Sequence, residues 1–118
     1  MKTTMQNNTK EPLSFSRELA TKVGVKGALI VTVIANQLRD ESEIHKGELW
    51  VRSTYEELLE RLPFMSVPTI RRTIKKLEEL DYIRSAKLGK HPMDTAKYYT
   101  LNFPKVADQI PQGFLYYV

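Results

Sequence analysis

Cysteine is absent from the 118 residues, which excludes disulfides and thiolate metal sites. That absence suits a reducing cytoplasm. Long apolar runs are missing as well. The longest, ALIVTVIA over Ala28–Ala35, falls far short of the ~20 residues that a bilayer crossing needs. The opening MKTTMQNNTKEPLSF has no apolar run of the kind a secretion signal carries. A cytoplasmic protein with no membrane partner is expected. Histidine occurs only at His45 and His91, with no ligand spacing around either. The five glycines form no phosphate-cradling loop, and no Asp/Glu pair stands out as an acid–base dyad. Catalytic residues, a bound metal and cofactors are therefore not expected, and neither is an enzyme.

What is present is a lopsided charge. Residues 1–62 hold nine Lys/Arg and nine Asp/Glu, whereas residues 63–118 hold nine against five. The whole net charge of +4 lies in the second half. A one-sided basic excess is the electrostatic footprint expected for a polyanion partner.

Residues 1–12 are polar and read as a loose arm. In SFSRELATKVG, Ser14 or Ser16 caps a short helix that stops at Gly24. A second helix, from about Lys26 to Asp40, follows from the helical spacing of Leu29, Ile30, Val33, Ile34 and Leu38. The charged DESEIHKG, Asp40–Gly47, reads as a loop. ELWVRS, Glu48–Ser53, alternates as a strand, with Leu49 and Val51 on one face and Trp50 and Arg52 on the other. Thr54 and Glu57 fit a capping box for a third helix, acidic through Glu56, Glu57 and Glu60, which Pro63 ends.

FMS is then a turn, and Ser66 caps a fourth helix with Pro68 in its first turn. Val67, Ile70, Ile74 and Leu77 fall on one side of it. Arg72, Lys75, Glu79 and Pro68 point the other way, with Thr69 and Lys76 on one flank and Arg71 on the opposite flank. Its cations come early and Glu78, Glu79 and Asp81 late, the reverse of what the helix dipole favours. Tyr82–Leu88 and Lys97–Phe103 read as two strands joined by GKHPMDTA, a hairpin decorated by Lys87, Lys90, His91 and Lys97. Tyr82, Tyr98, Tyr99 and Phe103 read as packing residues rather than base-stacking platforms. The last residues, GFLYYV, are too apolar to stand free in water. They are expected to pack on their own domain or on a second copy, which leaves a homodimer open.

An acidic helix, a turn, a basic helix and a two-stranded ribbon make an α+β winged helix-turn-helix, with about four helices, a short strand and a β-hairpin wing. Double-stranded DNA is the expected partner. Ser66, Thr69, Arg71, Arg72 and Lys75 would face the major groove, with Lys76 beside them. Lys87, Lys90 and Lys97 on the wing would reach phosphates or the minor groove. The rival readings are a protein-interaction module with an acidic partner, and a structural subunit of a replication or transfer complex.

The segments FSRELATKVGVKGALIVTVIANQL, GELWVRSTYEELLERLPFMSVPTIRRTIKKLEELDYI and MDTAKYYTLNF resemble the winged-helix DNA-binding domain of replication initiation and replisome-organiser proteins. These are carried by phages and plasmids of Gram-positive bacteria. The resemblance covers about Leu13–Phe103, and its most specific parts are the tryptophan strand, PF-x-S-x-x-TIRR and D-x-x-K-Y-Y. It implies a DNA-binding domain over 13–103 and an apolar tail over 104–118. It also implies binding at an origin or control site, with the recognition role on Ser66, Thr69, Arg71, Arg72 and Lys75 and the wing role on Lys87, Lys90 and Lys97. Replication, transfer and transcription control remain open as roles, with replication or transfer proteins as further partners.

Overall fold

A computed structural model describes residues 14–107 except 92 and 95. The arm expected over 1–12 and the apolar GFLYYV, Gly113–Val118, lie outside the described residues. The first helix, α1, is Arg17–Glu41. Of the two expected caps, Ser16 is the one used: its Oγ accepts from the Leu19 N–H at 3.2 Å. The helix breaks at Gly24, whose φ of 82° and ψ of 163° belong to a region essentially reserved for glycine. The break falls where expected: two helical segments within Arg17–Glu41 meet at a kink at Gly24. Beyond it nearly every residue from Gly27 to Leu38 is buried. A helix without a polar face sits in the middle of a fold, and the other described elements pack around this one.

Four strands follow the order β1-β2-β4-β3, all antiparallel: β1 is Glu43–His45, β2 Glu48–Ser53, β3 Ile83–Ala86 and β4 Lys97–Leu101. The expectation of a loop over Asp40–Gly47 is corrected by β1. His45 pairs with Glu48, and the two residues between them, Lys46 and Gly47, have φ of 53° and 82°. Two successive left-handed residues make the tight turn whose twist matches that of its flanking strands.

Between β2 and the hairpin lie α2, Tyr55–Arg61, and α3, Val67–Glu79. The capping box of α2 is complete: Thr54 Oγ1 accepts from the Glu57 N–H at 3.1 Å, and Glu57 accepts from the Thr54 N–H at 2.8 Å. Both β3 and β4 are shorter than expected. β4 stops at Leu101, and α4, Phe103–Val106, takes over with Pro104 in its first turn. Val106 is fully buried in the main core.

The core joins Leu19, Ile30, Ile34 and Leu38 of α1 to Leu58 of α2 and to Ile70, Ile74 and Leu77 of α3. The sheet closes it with Val51, Ile83, Tyr99 and Leu101. Truncating a buried residue such as Ile70 to Ala should cost about 2–5 kcal/mol. The opposite sheet face carries Trp50, Arg52, Tyr98 and Arg84, as a period of two requires. Trp50 is only 7% exposed, so β2 is covered on both faces at that point rather than on one. The described residues form an α+β fold of four helices and a four-stranded antiparallel sheet, compatible with a winged-helix-like arrangement.

Candidate nucleic-acid interface

The start of α3 is fixed by its own side chains. Ser66 Oγ accepts from the Thr69 N–H at 3.3 Å and donates to Thr69 Oγ1 at 3.0 Å. Arg72 Nη2 donates to the same hydroxyl at 3.4 Å. Ser66 and Thr69 are thus joined to each other and to the helix end. No acid lies in the first turn, so the partial positive charge of the exposed N–H groups is not offset locally.

Ile70, Ile74 and Leu77 hold the inner face of α3, and Arg71, Arg72, Lys75 and Lys76 are exposed on the rest. Arg71 lies one turn from Lys75, and Arg72 one turn from Lys76. Each like-charged pair at this spacing destabilises a helix by roughly 0.2–0.5 kcal/mol. Among the described residues none of the four forms an ion pair. Arg71 instead lies over the Tyr55 ring of α2, with its guanidinium carbon 5.4 Å from the ring centre. Tyr55 in turn meets Tyr99 of β4. Burial, followed by the nearby Tyr55 and Glu78, pushes the Tyr99 hydroxyl well above the usual phenol range. Sequence alone did not point to Tyr55, which stands sixteen residues before the arginine it supports.

Of the acids near the end of α3, Glu79 is exposed on the same side as Arg72 and Lys75, one turn beyond Lys75, whereas Glu78 and Asp81 are tied to the fold. The Glu78 carboxylate accepts from Ser85 Oγ, tying the helix to β3. Asp81 follows the helix in the left-handed region, φ 67°. Its N–H donates to Glu78 O at 3.0 Å and that of Tyr82 to Leu77 O at 2.9 Å, the paired bonds of a Schellman stop. Asn102 Nδ2 donates to both Asp81 O at 3.0 Å and Asp81 Oδ2 at 3.1 Å. Lys105 Nζ donates to Leu80 O, which brings a cation to the negative end of the helix.

The expected wing residues are not all alike. Lys87 and Lys90 are exposed in the β3–β4 connection. Lys97 is half-buried, opposite Ser53, on the side of β4 that also carries Tyr99 and Leu101. The connection is anchored by Asp94, which accepts from Arg52 Nη2 at 3.0 Å and from the Ala96 N–H at 3.1 Å. Those bonds, the Arg52 one foremost, hold the Asp94 carboxyl below its ordinary range. A Cβ on Gly89 would sit 2.5 Å from Asp94 Oδ2, so glycine is what lets the two segments close up. Next to this clamp, Arg84 pairs with Glu48 and stacks over Trp50 at 5.4 Å, and that hydrogen bond holds Glu48 below the usual carboxylate range.

The two histidines, both expected in loops, differ. His45 lies in β1, 3.1 Å from Glu43 and edge-on to Tyr98. His91 lies in the connection, where its Nδ1 accepts from the Met93 N–H at 3.1 Å. Among the described residues no three His, Cys, Asp or Glu side chains gather as a metal would require, and no helix is long and apolar enough to cross a membrane. No family model, curated protein or solved structure matches the chain.

Proposed function

We propose that the protein is a winged helix-turn-helix protein that binds duplex DNA, with α2 and α3 as the helix-turn-helix and the β3–β4 hairpin as the wing. The observation that carries this reading is the set of four cations on α3, which repel one another and have no carboxylate partner among the described residues. A face that weakens its own helix is explained by a polyanion that neutralises it.

In this reading α3 lies in the major groove, which is about 12 Å wide and admits one helix. Arg72 and Arg71 read base edges, an arginine fork matching guanine O6 and N7. Lys75 and Lys76 meet phosphates and fix the register, and Lys87 and Lys90 do the same from the wing. Lys97 supports the wing at its base, while Ser66 and Thr69 set the helix end that approaches the groove. The resemblance given above adds the setting: an origin or control site on a mobile genetic element, in replication, transfer or transcription.

The test is a gel shift at two salt concentrations. It compares a duplex selected from a random pool with an unrelated duplex. Tight, selective and salt-weakened binding is expected. Retained function with no DNA affinity, or an affinity that salt leaves flat, would favour a protein partner instead.

A further inference from the structure

We propose that Met93, in the β3–β4 connection, is an apolar wedge that enters the DNA minor groove and unstacks one base step beside the site held by α3. The proposal rests on the duplex-DNA reading above.

Met93 is 78% exposed, more than any other large apolar side chain among the described residues. It is nevertheless held in place at both ends. Its own N–H donates to His91 Nδ1 at 3.1 Å, and the next N–H, of Asp94, donates to His91 O at 2.9 Å. Asp94 is drawn back onto Arg52. Ordering this segment before contact lowers the entropy cost of binding.

The charge around Met93 fits one kind of partner. Lys87 and Lys90 precede it in the chain and are exposed. The only acid in the connection, Asp94, is neutralised by Arg52 and so offers phosphate little repulsion. The connection is therefore cationic with one exposed apolar side chain. It matches proteins that pair phosphate contacts with an apolar side chain pushed between base pairs. An unbranched thioether fills the irregular gap of a partly opened step. Pyrimidine–purine steps open most easily, so the wedge adds a preference at a position that α3 never touches.

The experiment places 2-aminopurine, whose fluorescence rises when it unstacks, at successive positions flanking the α3 footprint in the selected duplex. Binding of the full chain should raise fluorescence at one step. Met93→Ala should abolish that rise and weaken binding roughly tenfold, the size of one lost apolar contact, while Met93→Leu should retain both. The wedge is overturned if no step brightens, or if Met93→Ala behaves as the parent does. Failure of the parent chain to bind any duplex would instead remove the DNA reading itself, and the wedge with it.

Discussion

Arginines on the sheet and arginines on α3 live under different rules. On the sheet, Arg52 is bonded to Asp94, and Arg84 is bonded to Glu48 and stacked on Trp50. Each is satisfied within the fold. On α3, among the described residues, the side chains of Arg71 and Arg72 meet a tyrosine ring and a threonine hydroxyl and form no ion pair, and the charged residues beside them and one turn on are cations. The same residue type serves assembly in one region and is left unneutralised in the other. The difference teaches that total charge says little about a binding face, whereas unpaired charge says much.

The comparison breaks most visibly if the α3 arginines are removed. Replacing both Arg71 and Arg72 by Ala should cost about 1–3 kcal/mol of DNA binding for each arginine that reads a base, measured by fluorescence anisotropy. The melting temperature should hold or rise slightly, because two like-charge contacts disappear. Unchanged affinity in that variant means α3 is not the reader.

A smaller effect separates phosphate contacts from internal pairs. If about five cations meet phosphates, log K should fall against log salt with a slope of roughly −4 to −5. Lys75→Ala should make that slope shallower by about 0.9, whereas Arg84→Ala should leave it alone and only lower the melting temperature. A slope change in the Arg84 variant would erase the distinction between the two regions.

The smallest effect is on pH. Asp94 and Glu48 have folded-state pKa values below those of the unfolded chain, each because of an arginine hydrogen bond. Their contribution is therefore complete above about pH 4, the ordinary carboxylate value, and is lost as pH falls through the lower folded values. Thermal melts across that acid range should show a shallow loss, and Asp94→Asn should remove part of it. Arg71→Ala should leave that loss unchanged, since both pairs stay intact and Arg71 has no carboxylate partner among the described residues.

Local pattern made much of this legible beforehand. The buried trio Ile70, Ile74 and Leu77, the caps at Ser66 and Thr54 and the break at Gly24 are set by neighbours within a turn or two. So is the crowding of cations on α3. β1 escaped notice because a three-residue edge strand with two exposed positions has no alternation to read, and Lys46 takes a left-handed turn position without being Gly or Asn. The early end of β4 had a signal in Asn102-Phe103-Pro104, a helix start with proline in its first turn. The Arg52–Asp94 clamp had none, because its partners are 42 residues apart and meet only through strand register.

The stop at the end of α3 depends on residues that come much later in the chain. Asn102 and Lys105 hold the carbonyls of Asp81 and Leu80, and Val106 fills the core nearby. During synthesis, then, α3 emerges from the ribosome well before the segment that secures it. A polypeptide broken off ahead of Val106 carries all the cations of α3 on a helix whose end is unsecured, over an incomplete core. Under the proposed reading, such fragments should compete poorly with the full chain for DNA.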